Sequence, residues 1–281
     1  MSTLVRFPAY RHYDEMRRGI NDSVMGLLAG AGLASHLLNP MVHANVPLAM
    51  IFPDIDQISR FDLSIDKARE VLGDSGQHVA RMAIPYTLAL HEDYMKRCLE
   101  LLVADGKVSA SQANSTSASK MHELLERACP GSFPRDSLSQ FHVLREMRNC
   151  LIHRAGKVDG RFVATVATWN SGAEAGWVKQ VGHSPRRLSN GSHLQLSVGE
   201  VVMAFAVSKL MARSANQMLL GSVNMSTWVD VVIRDLQEFG PGVPANKDER
   251  LRKLQGYARH LYAPLGLSEP ELLSGLSRAG Y

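Results

Sequence analysis

The chain has 281 residues, of which 45% are hydrophobic, 21% charged and 6% aromatic, so intrinsic disorder is excluded as the default and one sizeable core is expected. A formal charge of +4 and an isoelectric point near 9.0 are compatible with a polyanionic partner without requiring one. The three cysteines, Cys98, Cys129 and Cys150, have no CxxC spacing, which argues against a disulfide framework or a structural zinc site and points to a reducing compartment.

The N-terminal stretch MSTLVRFPAYRHYDEMRR is charged and lacks an apolar run, so no secretory signal is expected and a cytoplasmic location is. Tyr10 to Leu38 carries apolar residues at helical spacing. Its most apolar part, Val24 to Leu38, contains His36 and stops before Pro40; it is short for a membrane span, and a buried core helix is expected there. Pro40, Pro47 and Pro53 then impose an irregular connection, in which Asp54 and Asp56 read as turn chemistry. Asp62-Leu63-Ser64 opens a second helical run, weakened at Gly73 and Gly76. It resumes towards Gly106, with a kink or a new start at Pro85.

Ser109 to Ser119 reads as a loop or weak helix start, and Lys120 to Ala128 as a short helix stopped by Pro130-Gly131. Asp136 or Ser137 can cap the next helix, SLSQFHVLREMRNCLIHRAG, with Gly156 as its C′ residue. From Arg161 to Ser197 the pattern changes: RFVATVATW, WVKQV and HLQLS alternate apolar with polar between turn-forming clusters, which predicts a small antiparallel sheet. A strong helix returns from Val198 to about Leu220, and three shorter ones start near Ser226, Asn246 and Ser268. The expected organisation is a helical flank over 1–77, a helical domain over 78–221 with a β insertion at 161–197, and a helical extension over 222–281.

Within the helix that ends near Gly156, Arg148 is followed by Asn149 and, five residues on from the arginine, by His153. Asn149 and His153 are four apart and share a face, so the amide can orient the imidazole. Arg148 lies well around the cylinder, so one helix does not aim both Arg148 and His153 at one point. Two such helices related by a twofold axis would. The bland alternative is an arginine in solvent and a helix-end histidine favoured by the macrodipole.

The segment Arg148-Asn149-x3-His153, on a helix preceded by IPYTLALHEDYMKRCLELL, resembles the HEPN superfamily (higher eukaryotes and prokaryotes nucleotide-binding). The resemblance spans roughly residues 78 to 220, and its specific part is the short motif. It implies a HEPN-like helical bundle and a metal-independent RNA endonuclease, without cofactor, whose composite site is shared across a homodimer. In that scheme His153 is the general acid or base, Arg148 grips the scissile phosphate, and Asn149 fixes the histidine tautomer or the phosphate. Attack by the 2′-hydroxyl restricts the substrate to RNA. Stand-alone members resemble toxins or phage-defence effectors, with an antitoxin or a defence-system protein as partner. Other members bind without cleaving, so a non-catalytic module binding RNA, nucleotide or a partner subunit is the alternative.

Other signals carry less. His91-Glu92 begins a zinc-protease pattern, but Met95 stands where the second histidine is needed. Arg186 and Arg187, between His183 and His193, form a basic turn that could touch RNA phosphates or simply be solvated. The DERLRKLQGYARHLY stretch has a basic face that could serve a helical nucleic-acid-binding regulator, although a charge-laced surface helix is commoner.

Overall fold

A computed structural model describes residues 3–41, 46–60 and 63–281. Among these residues the chain forms twelve α-helices and no strand. In order they are α1 (Pro8–Leu38), α2 (Ile65–Gly73), α3 (Ser75–Ala104), α4 (Ala110–Ser115), α5 (Met121–Ala128) and α6 (Arg135–His153). There follow α7 (Gly160–Ala167), α8 (Ser171–Val181), α9 (Val198–Ser222), α10 (Met225–Glu238), α11 (Lys247–Leu261) and α12 (Glu269–Arg278).

Local capping explains most of these starts. Ser64, Asp159, Asn170 and Asn246 each accept a backbone N–H of the first turn that follows. Ser109–Gln112, Ser197–Glu200 and Ser268–Glu271 form reciprocal capping boxes. Asp62 lies outside the described residues. Neither Asp136 nor Ser137 caps α6: the helix starts at Arg135 after Pro134, and Asp136 instead accepts a hydrogen bond from the Asn170 amide. Pro85 does not divide α3, which runs unbroken past it; the break falls at Asp74.

The β insertion is replaced by helix. RFVATVATW lies largely on α7, WVKQV closes α8, and Pro185–Arg187 is a single 3-10 turn, not a hairpin tip. HLQLS is extended but makes only one isolated bridge, between His193 and Lys157. The physical reason is that Phe162, Val166 and Trp169 are the buried residues. They follow each other by four and three, which is a helical period; strand alternation, which the apolar–polar run also suggests, joins only Phe162 with Val166 and puts Trp169 on the opposite face. The Asp159 and Asn170 caps then decide between the two, and Gly182 ends α8 in the left-handed conformation.

Helices α3 and α9 pack side by side through the centre, with α1 laid along α3 and α6 against both. Helices α7 and α8 cover α6, whereas α10, α11 and α12 pack on one another. The N-terminal segment is stitched into this core: the buried Asn216 amide donates to the Val5 carbonyl at 2.8 Å and accepts its N–H at 2.9 Å. Asp235 on α10 receives two hydrogen bonds of 2.7 Å from Arg11 and a third from the Tyr262 hydroxyl. That carboxylate joins α1, α10 and the end of α11.

The Val24 to Leu38 stretch is not the core helix expected. Val24 and Leu38 are buried, but Met25, Leu27, Leu33 and Leu37 are exposed. This half of α1 projects past α3 and meets α2 and a small separate cluster of Leu38, Ile65 and Ala68.

Candidate functional site

Helix α6 is amphipathic around the motif. Phe141, Leu144, Met147 and Cys150 are buried and hold it to the core. At 100° per residue, His142, Glu146, Asn149 and His153 fall within about 60° of arc on the side left over. Arg148 sits roughly 140° away from His153 by the same reckoning, yet its Nη1 donates to the Asn149 Oδ1 at 3.3 Å. The guanidinium is thus drawn back towards the polar stripe.

A continuous hydrogen-bonded chain runs along this stripe. Asn149 Nδ2 donates to Glu146 Oε2 at 3.2 Å, and Arg145 Nη2 donates to Glu146 Oε1 at 2.9 Å. Glu146 is buried, so its carboxylate depends on Arg145 for charge compensation. Both ends of the Asn149 amide are occupied by Arg148 and Glu146. It therefore positions the arginine and does not orient His153. His153 is exposed at the C-terminal end of α6 and makes no hydrogen bond or ion pair among the described residues.

Beyond His153 the helix closes tightly. Gly156 N–H returns to the Cys150 carbonyl at 2.9 Å, and two left-handed residues follow the Arg154 cap: Ala155, at φ 52°, in the C′ position, and then the expected glycine, Gly156, at φ 81°. A left-handed alanine costs of order 1 kcal/mol relative to glycine, and such strain is commonest near functional sites.

Deeper in the bundle the same helix meets a histidine pair absent from the sequence reading. His91 of α3 and His122 of α5 are buried, with their Nε2 atoms 3.0 Å apart. Their ring centroids lie 5.3 Å apart and their planes within 17°. A ring nitrogen lies about 1.2 Å from its ring centre on standard covalent geometry, so both Nε2 atoms must lie on the line joining the rings. The rings meet end to end in an N–H···N hydrogen bond, not face to face. One imidazole carries its proton on Nε2 and the other on Nδ1. Burial drives His91 down to about 3 and pushes His122 well below the ordinary histidine range. His142, with its ring 6.2 Å from His122, is lowered to about 4 by burial and then by Arg145.

Arg186 is largely spent: it donates to Glu174 and to the Trp169 carbonyl, both at 2.9 Å. Arg187 pairs only with His183, at 3.0 Å, on the surface. None of the main cavities among the described residues is lined by Arg148, Asn149 or His153. His142, Arg145 and Glu146 were the participants missed from sequence. A helical-wheel plot shows the signal for two of them: His142 and Glu146 join Asn149 and His153 at spacings of four, three and four, on one face.

No protein-family model matches the chain, and neither a curated protein nor a solved structure matches it.

Proposed function

We propose that the chain is a HEPN-like, metal-independent RNA endonuclease whose reacting groups are Arg148 and His153. The observation that carries this reading is the Arg148–Asn149–Glu146–Arg145 chain. It draws a permanently charged guanidinium towards the helix face that ends in an unpaired, accessible imidazole. Such a pair suits phosphodiester cleavage by the neighbouring 2′-hydroxyl. His153 takes the hydroxyl proton or returns one to the leaving 5′-oxygen, and Arg148 stabilises the charge that builds on the phosphorane. Asn149 acts through Arg148 as a positioning residue. The products are a 2′,3′-cyclic phosphate end and a 5′-hydroxyl end. A second copy of the chain would supply the enclosing walls that one protomer lacks. The biological setting that fits is a toxin or phage-defence effector with an antitoxin or defence-system partner.

Cleavage of total RNA in EDTA by wild type, Arg148→Ala and His153→Ala tests it. Wild-type cleavage reduced at least ~100-fold by each substitution supports the enzyme. No cleavage, or cleavage indifferent to both substitutions, overturns it.

A non-catalytic module binding RNA, nucleotide or a partner subunit is the second reading. It is favoured by the lack of any group among the described residues that orients His153. RNA binding by wild type without cleavage, weakened by Arg148→Ala, selects it.

A further inference from the structure

The sequence Val24 to Leu38 contains no Asp, Glu, Lys or Arg, yet most of it faces water. A helix that is apolar all round is ordinarily enclosed by other protein. Its glycines are equally unexplained within one protomer. A Cβ added at Gly19, Gly26 or Gly30 meets nothing within 4 Å, although each glycine inside a helix costs of order 0.5–1 kcal/mol.

On the helical wheel, Gly19, Ser23, Gly26, Gly30, Leu33 and Leu37 fall within about 80° of arc. This single face therefore has a fixed order along its length: small residues at one end, a glycine floor in the middle, and two exposed leucines at the other. Beside the small end, α1 and α3 enclose an apolar groove of about 510 Å³, bordered by Ile20, Leu27, Met82 and Tyr86.

We infer that this face is a homodimer interface, in which α1 of a second copy packs antiparallel across the glycines. With the twofold axis between Gly26 and Gly30, Gly26 faces the partner's Gly30. Leu33 then reaches the partner's Ser23, and Leu37 reaches the partner's Gly19 and the groove edge. Large residues fall on small ones at each end, and both ends are satisfied by one operation, as an isologous contact demands. A parallel pair would set leucine against leucine and leave the groove empty.

The size also fits. Gly19 to Leu38 is about 30 Å long at 1.5 Å per residue, and with the α3 edge the strip is two helix widths, about 20 Å, across. That is roughly 600 Å² of projected surface per copy, comparable to the ~800 Å² per partner of a stable complex. No helix among the described residues is long and apolar enough to cross a membrane. The inference does not rest on RNA cleavage.

The test is the mass of the full chain by light scattering and sedimentation, for wild type and for the Leu33→Arg/Leu37→Arg variant. Both leucines are exposed, so the fold tolerates the change, which unchanged circular dichroism verifies. The expected result is a wild-type dimer whose dissociation constant rises by roughly 100-fold or more in the variant. The register is read by oxidising Ser23→Cys/Leu33→Cys. These positions lie about 15 Å apart within one helix and cannot bridge internally, and the native cysteines are buried. A covalent dimer should form in the double variant and much more slowly in either single one. A monomeric wild type, a variant that still dimerises, or cross-linking no faster in the double variant overturns the inference. So does a monomer that floats with phosphatidylcholine vesicles, which would make this face a lipid-binding one.

Discussion

Two polar networks in this molecule have opposite characters. Around Asp235, Arg11 and Tyr262 fill the carboxylate from two directions, and the side chain is fully enclosed. Along α6, Arg145, Glu146, Asn149 and Arg148 form a chain that ends in the open. Arg145 Nη1 and His142 Nδ1 are buried there without partners, and His153 has none at all. A network that only holds helices together gains by satisfying every donor and acceptor, because each buried orphan costs roughly 1–3 kcal/mol. A network kept partly open retains that cost, which is tolerable where a ligand supplies the missing partner. The contrast marks the α6 network as the less completed of the two.

The largest effect expected is at the closed network. Asp235→Ala leaves Arg11 without its counter-ion and the Tyr262 hydroxyl without its acceptor, at a cost of about 3 kcal/mol. Urea denaturation should show this as a lower midpoint at unchanged slope. A loss below about 1 kcal/mol would mean that the network is not the clasp its geometry indicates.

The buried histidines give the next effect through pH. His91 is held near 3 and His142 near 4 by burial, with His122 shifted the same way, against about 6.5 in the unfolded chain. The unfolded state therefore binds more protons whenever the pH is below about 6.5, and stability rises with pH there. The contribution is complete above that value and is lost as pH falls towards the folded values, at up to ~1.4 kcal/mol per unit for each histidine. Denaturation midpoints at pH 7.5, 6 and 5 should fall in that order. His91→Leu/His122→Leu should flatten the dependence, since replacing both partners of a buried bond removes the group that charges without leaving an orphan. Identical midpoints at pH 7.5 and 5 would contradict the buried, neutral pair.

How far these features could be read in advance follows their physics. Helices with Ser, Asn or Asp caps and an apolar stripe, such as α9 and α11, were visible because cap and stripe lie within one segment. The 161–197 region reads as strand from its apolar–polar alternation, whereas its buried residues Phe162, Val166 and Trp169 follow a helical spacing that the Asp159 and Asn170 caps reinforce. The projecting half of α1 was misread because composition reports apolarity and not what covers it. In the candidate site, Arg148, Asn149 and His153 were found as a local spacing. The link from Arg148 to Asn149 required a side chain to bend around the helix, and His91 meets His122 only through tertiary packing.

A smaller effect is expected at the end of α6. Ala155 occupies a left-handed conformation that glycine adopts freely. Ala155→Gly should stabilise the chain by about 0.5–1 kcal/mol, the gain from strain relief being offset in part by unfolded-state entropy. If the strain serves to hold His153 in place, the more stable variant should cleave RNA more slowly. Unchanged stability would show that the turn is relaxed.

The smallest stability effects should fall on the motif residues themselves. Arg148 makes one long, part-buried hydrogen bond and His153 makes none, so Arg148→Ala and His153→Ala should each alter unfolding free energy by no more than about 1 kcal/mol. Glu146→Ala, in contrast, strips Arg145 of its compensating charge and should cost several times as much. This ordering separates chemistry from folding. If cleavage vanishes in Arg148→Ala while its melting curve overlays that of wild type, the lost function belongs to the guanidinium. A variant that loses cleavage and stability together would place Arg148 with the scaffold, alongside Asp235.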